Sequence, residues 1–336
     1  MTLLAGGEPL AADTAAAVDG AVAVKGRTPW EIVKLRLKRD KVTMVAFAAT
    51  IFFIVVAVLS PVLVATHLLD PQTPHDGLLD PNNYSLPFGT MGGITTSHWL
   101  GVEPGTGRDV FSRIVAGTTT SLLVATLATA FSVIVGTVLG IVAGYARGRV
   151  DWFIGRFLDL VLSFPQTLML LSLGPVLTGR IAHIYGVADS DNTAKISFMV
   201  LVLGFFGFPF FARIIRGQVM TLREREFIEA AKSLGARPGR IYFKELLPHL
   251  WAPILVYTTL VLPQNIAAEA ALGFLGVGIT PPTASLGAML NDSVSYAQTD
   301  TAYFAFPGVV VFLMVLSFNL LGDGLRDALD PKAGRS

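Results

Sequence analysis

Residues 229–248 read EAAKSLGARPGRIYFKELLP, a polar stretch set between two long apolar runs, and its reading decides the fold. Phe227, Ile228, Ala231 and Leu234 recur at three- and four-residue spacing, which predicts one face of a helix. Gly235 ends that helix, because glycine accepts the left-handed conformation of a C-terminal cap. Pro238 suits the first turn of a second helix, where its missing N–H costs nothing, and Pro248 closes the unit. A DNA-reading helix-turn-helix would also be basic, but the flanking apolar runs tie this unit to a membrane. The plainer reading is a solvated loop joining two membrane helices.

Working outward, the composition agrees. Of 336 residues, 52% are hydrophobic and 15% charged, against about a quarter charged in soluble domains. Apolar runs of about 20 residues place the chain among all-α polytopic membrane proteins. There is no cysteine, which excludes disulfides, thiolate metal sites and cysteine nucleophiles. The five histidines show no metal-ligand spacing.

Six transmembrane helices are predicted, at 43–66, 118–145, 152–177, 196–215, 250–278 and 303–325. Residues 1–29 are Ala-rich and almost uncharged and read as a disordered cytoplasmic tail. Residues 30–42 mix Trp30, Ile32, Val33, Leu35 and Leu37 with lysines and arginines. They read as an interfacial amphipathic segment or a simple basic flank. The first span and an acidic loop occupy 43–117. The remaining core, 118–332, contains the polar loop at 223–249. Gly136, Gly140 and Gly144 form a stripe that lets another helix approach closely. Phe164-Pro165-Gln166 predicts a kink in the third span with a polar group at mid-depth. The fourth helix is expected to run on through Arg213, Arg216, Arg223 and Arg225. Lysine and arginine collect in alternate connections, so both termini and the 229–248 stretch are expected inside. Trp30, Trp152 and Trp251 fall at the inner interface.

Glu229-Ala230-Ala231, Gly235 and Leu247-Pro248 resemble the EAA loop of ABC-importer permeases. Four more stretches are similar to the dipeptide/oligopeptide branch, of the DppC/OppC kind. They are Leu100-Gly101, Glu103, Gly107-Arg108-Asp109 and Ser112-Arg113; Ala212-Arg213 with Arg216-Gly217-Gln218; 269–290, where Gly273 replaces a frequent serine; and 319–331. The five motifs stand in the family's order. The resemblance implies a MetI-like type I importer fold. It implies a paralogous permease subunit (DppB/OppB-like), two ATP-binding subunits (DppD/DppF-like) and an extracytoplasmic binding protein. The setting implied is the cytoplasmic (inner) membrane, with no nucleic acid. Within that family, Glu229, Ala230, Ala231, Leu234, Gly235 and Arg237 correspond to the surface that couples to the ATP-binding subunit.

No G-x-x-x-x-G-K-[ST] occurs in the chain, so no nucleotide site, cofactor or catalytic residue of its own is expected. ATP and Mg would be bound by the partner subunits. Glu229 either pairs with a basic residue of that partner or is an ordinary exposed carboxylate. Gln166, Gln264, Asn265 and Glu269 are candidates for the translocation path, because polar groups inside a membrane face a cavity or a partner helix. Glu269 is expected near the outer end, within reach of water. The Arg108–Asp109 pair either caps the second span or meets the binding protein. A membrane enzyme would need paired carboxylates or a histidine cluster, and a channel a charge ring or carbonyl filter; neither pattern is present. Nickel chelates and oligosaccharides are cargo alternatives to dipeptides and oligopeptides.

Overall fold

The computed structural model describes residues 35, 37, 39–188 and 191–329. The expected 1–29 tail, Trp30 and most of the 30–42 segment, Asp189 and residues 330–336 lie outside the described residues. Helix α1, Lys41–Ala65, begins where the Asp40 side chain accepts from the Val42 N–H and the Thr43 hydroxyl, satisfying a backbone donor that a helix start leaves free. Its buried residues, Ala46, Thr50, Phe53, Ala57 and Ser60, follow a spacing of three and four. Val45, Phe52, Val58 and Val62 on the other side are exposed. Such a helix is packed along one stripe and lipid-facing along the rest. The Thr119 hydroxyl of the next helix donates to the Ala57 carbonyl at 2.9 Å.

Helix α2, Val110–Tyr145, starts well before the predicted 118. Asp109 explains the early start: its Oδ2 accepts from the Ser112 N–H at 2.7 Å, and the polar first turn, Ser112 and Arg113, is buried in protein instead of lipid. Further along, α2 packs tightly on α5, Asn192–Leu222. A Cβ added at Gly136 would lie 2.9 Å from the Phe208 carbonyl oxygen, and at Gly140 or Gly144 it would lie 2.7 Å from the Cβ of Ile215 or Val219. The stripe is therefore a packing surface, as expected. Ser132 of α2 returns the contact by donating to the Gly204 carbonyl of α5 at 3.0 Å.

The third crossing differs from the prediction. Residues 152–177 are not one kinked helix. The chain forms α3, Arg149–Ser163, then α4, Gln166–Tyr185. Pro165 breaks the run completely, since it lacks an N–H and holds Phe164 in extended backbone (φ −86°, ψ 131°). Only α4 is long and apolar enough to cross. Asp151 and Asp159 keep α3 at the level of α5's arginines: Arg216 makes a two-pronged pair with Asp151 at 2.6 and 2.8 Å, and Arg213 pairs with Asp159. The Arg216 guanidinium holds the Asp151 carboxyl below its usual range. Gln166 consequently stands at the first position of α4, half-buried, and not at mid-depth.

Helix α5 ends at Leu222, so Arg223 and Arg225 lie beyond it and the expected continuous helix stops short. Then come α6, Glu226–Ser233, α7, Pro238–His249, and α8, Trp251–Phe274, with a 66° bend between α7 and α8. Helix α9, Leu286–Val294, and α10, Thr301–Leu329, complete the bundle. Five of these helices pass as membrane spans alone, and a sixth when the bent pair is taken as one. The span that needs this allowance, α8, is the one that carries Gln264, Asn265 and Glu269. Helix α9 was not expected. Ser285 starts it by accepting from the Ala288 N–H at 3.1 Å, and its Gly287 meets Gly273 of α8 with backbone against backbone, where an added Cβ would come within 2.9 Å. Gly273 is thus a steric requirement. Between α1 and α2, a small hairpin pairs Leu79–Asp80 with Leu86–Pro87.

Candidate functional site

The 226–249 elbow sits beyond the ends of α2 and α5. Gly235 has φ +76°, and the two hydrogen bonds of a paired C-terminal cap form around it: Gly235 N–H to the Lys232 carbonyl at 2.9 Å and Ala236 N–H to the Ala231 carbonyl at 3.0 Å. Pro238 opens α7 as expected, with Arg237 as its cap residue. Residues 241–246 then wind more loosely than an α-helix, as one π turn. This spacing brings both Ile241 and Leu246, five residues apart, into the core.

Beneath the elbow, Ile228, Ile241, Leu246 and Leu250 pack with Phe211, Ile215 and Val219 of α5 and Ile141 of α2. Phe227 stacks on the His249 ring at 4.6 Å. The Lys232 ammonium lies 5.3 Å from the Tyr145 ring centre. The elbow is therefore seated on the two most tightly packed helices. It leads through α7 directly into α8.

Its outer surface is unlike its base. The spacing of Phe227, Ile228, Ala231 and Leu234 suggests a single face, but the structure divides it. Ile228 is fully buried, whereas Leu234 is 88% exposed at the helix end. Phe227, Ala230, Ala231, Leu234, Gly235 and Arg237 line a groove of about 610 Å³. Six of six coupling candidates lie on this elbow, and all but Glu229 line the groove. The Glu229 side chain is exposed and takes part in no ion pair among the described residues. A leucine, two alanines, and an acid and a base with no ion pair among the described residues form a surface with much to gain from a second protein.

The four polar candidates do not form one lining. Gln166 begins α4. Gln264 is exposed on α8. Asn265, one residue on, is buried and donates to the Thr129 hydroxyl of α2 at 2.9 Å, so it joins two helices of this chain. Glu269 is 0% exposed, against the expectation that it reaches water, and neither carboxyl oxygen has a hydrogen-bond partner among the described residues. It faces Ser121 of α2, close to the start of α9, whose Leu286 N–H bonds the same hydroxyl at 3.4 Å.

At the opposite end of the bundle, charges are internal. Glu103 accepts from Arg108 Nε at 2.7 Å, pairs with Arg113 Nε at 2.5 Å and accepts from the Tyr303 hydroxyl at 3.1 Å. Glu103 is 1% exposed and Arg113 0%. Asp109 holds His98 Nδ1 at 2.9 Å besides capping α2. The Leu-Gly-x-Glu and Gly-Arg-Asp residues thus lock the 66–109 segment onto α2 and α10. Sequence reasoning weighed a cap for Arg108–Asp109, and Asp109 is one. It missed that Glu103 and Tyr303, 200 residues apart, share the pair.

Comparisons with known proteins agree with this architecture. The family described as "Binding-protein-dependent transport system inner membrane component" matches residues 136–335, and "N-terminal TM domain of oligopeptide transport permease C" matches residues 28–85. A dipeptide transport system permease protein DppC of Alkalihalophilus pseudofirmus is 36% identical over 305 residues, 91% of this chain and 90% of that one. Glutathione transport system permease proteins GsiD of Pectobacterium atrosepticum and Escherichia coli are 34% and 35% identical over 306 residues, 91% of this chain and 92% and 91% of theirs. Among solved structures, a chain of the inward-facing MetNI methionine ABC transporter superposes with a TM-score of 0.51 at 20% identity, covering 65% of this chain and 96% of that one. With the fold, the ordered motifs and the matched relatives in agreement, the chain belongs to the family of binding-protein-dependent transport system inner membrane components, the permeases of ABC transporters.

Proposed function

We propose that this chain is one of two related membrane subunits of an importer that moves dipeptides or oligopeptides across the cytoplasmic membrane. Its partners are a DppB/OppB-like permease, two DppD/DppF-like ATP-binding subunits and an extracytoplasmic binding protein. ATP and Mg bind on the ATP-binding subunits, since no P-loop is present here. The peptide cargo rests on the relatives, which are named for dipeptide and glutathione transport. The basic connections favour a cytoplasmic side for both termini and the elbow.

The observation that carries the mechanism is the elbow itself: Leu234, 88% exposed, at the tip of a helix capped by Gly235. Leu234, Ala230 and Ala231 enter a cleft on the ATP-binding subunit, and Glu229 and Arg237 pair with its opposite charges. Closure of the ATP-binding dimer pushes the elbow. The elbow is packed on α2 and α5 and continues through the 66° bend into α8, so the push reaches the span that carries Gln264, Asn265 and Glu269. The spans then swing between inward- and outward-open states. Gln264, Asn265 and Glu269 meet the path in the course of that swing, and Gln166 lies at its inner margin.

The test is uptake of a labelled dipeptide by cells that rely on the complete importer. Uptake should require ATP hydrolysis and fall about tenfold or more in Gly235→Val, where a left-handed φ costs a β-branched residue roughly 1–2 kcal/mol. The assembled complex should still be recovered. Unchanged uptake in that variant contradicts the lever. Absence of peptide uptake by the unaltered importer contradicts the cargo.

A further inference from the structure

Between α4, α5 and the loop that follows α8 lies a crevice of about 300 Å³ that none of the coupling or pathway candidates lines. Gly174, Pro175, Phe198 and Val277 give it apolar walls, and Lys195 and Thr280 stand at its polar end. The Lys195 ammonium has three N–H donors. One goes to the Thr280 hydroxyl at 2.5 Å, and no carboxylate forms an ion pair with it among the described residues. Asp191 stands one turn before Lys195, on the same side of the α5 start. Its Oδ1 caps the helix by accepting from the Thr193 N–H at 2.6 Å. Asn192 clamps the 280–283 loop from the same turn, donating to the Thr280 carbonyl at 2.8 Å and to the Thr283 hydroxyl at 2.9 Å. Lys195 is therefore not needed to hold that loop.

The setting narrows the occupant. Next in sequence to its lining residues Gly174 and Pro175, Leu173 and Val176 are large apolar side chains of α4 that are exposed. Its volume is at the lower end of the roughly 300–1,000 Å³ typical of small-molecule sites, enough for a headgroup with the top of one acyl chain. With α5 oriented as proposed above, Lys195 is the deeper charge and Asp191 the outer one. A phosphoethanolamine headgroup has the same order, with its phosphate nearer the hydrocarbon and its ammonium nearer water.

We propose that this crevice binds a phosphatidylethanolamine of the outer leaflet, its phosphate on Lys195, its ammonium on Asp191 and an acyl chain between Pro175 and Phe198. The occupied site fills the gap between α4 and the loop after α8, so the lipid acts as a wedge between them. The proposal rests on the membrane orientation above. That orientation is tested separately by labelling from each side, so the two can fail independently.

The experiment uses the complete importer in nanodiscs of mixed phosphatidylethanolamine and phosphatidylglycerol, doped with a photoactivatable phosphatidylethanolamine. Labelled peptides should map to residues 174–179 or 276–280. Lys195→Gln should cut that labelling about tenfold, the weight of one charge-assisted hydrogen bond, while Lys195→Arg retains most of it. Asp191→Asn should abolish the preference for phosphatidylethanolamine over phosphatidylglycerol. Size-exclusion recovery of each variant confirms that folding is intact. Labelling that is unaffected by Lys195→Gln, or equal competition by phosphatidylglycerol in the unaltered protein, overturns the assignment. Competition by a free dipeptide also overturns it, giving the crevice to cargo carboxylates.

Discussion

The two ends of the bundle treat their charges in opposite ways. At one end Glu103, Arg108, Arg113 and Tyr303 pair with one another in a buried cluster. At the other, the elbow keeps Glu229, Arg237 and Leu234 on its surface and buries only its base, through Ile228, Ile241 and Leu246. The first arrangement is formed within one chain, and the second, as proposed above, meets another. Mutations should therefore cost stability at the first end and association at the second.

The largest effect is expected for Glu103→Ala. It leaves two arginines without their carboxylate, and removing one partner of a buried pair costs about 3–5 kcal/mol. Thermal unfolding of the solubilised complex should shift sharply downward, or the protein should fail to accumulate. A transition unchanged from the unaltered protein would remove the contrast. Gly140→Val comes next. The added atoms meet Ile215, and overpacking of this kind costs about 1–3 kcal/mol, read in the same melt. Gly235→Val strains only the cap, since open space surrounds the position. It should leave the melt within about 1–2 kcal/mol of the unaltered protein and keep the ATP-binding subunits attached through purification, yet uncouple their ATP hydrolysis from uptake.

Leu234→Ala sharpens the comparison further. An exposed side chain usually contributes within about 0.5 kcal/mol to stability, so the melt should not move, while the affinity for the ATP-binding subunits should fall severalfold. The smallest effect is expected for Asp151→Asn. Its pair with Arg216 is partly exposed, worth about 0.2–1 kcal/mol. Because Arg216 depresses the Asp151 pKa, this contribution is present above the ordinary carboxylate range and fades as pH falls through the lowered value. The variant should flatten that part of the acid-stability curve.

Much of this was legible in the residues. Apolar runs located the spans, the glycine stripe its partner surface, and Gly235 with Pro238 the elbow, because each signal is local. Four features were not. The early start of α2 was hidden by Ser112 and Arg113, which look too polar for a span until Glu103 is found beside Arg113; Asp109 as an N-cap was the available signal. The α3–α4 break was read as a kink, although Asp151, Arg156 and Asp159 already marked the segment before Pro165 as too charged to cross. Leu234 was grouped with Ile228 by spacing alone, and spacing does not say where the helix leaves its support. The burial of Glu269 faces it toward Ser121 of α2, a separate segment, so no local pattern carried it.

The most direct measurement uses the absence of cysteine from the chain. Leu234→Cys introduces a single thiol at the tip of the elbow. In the assembled importer it should be modified only from the cytoplasmic side, be shielded by the ATP-binding subunit, and form a crosslink to that subunit whose yield changes with nucleotide. Modification from the outer side, or a reactivity indifferent to the ATP-binding subunit, would contradict the account.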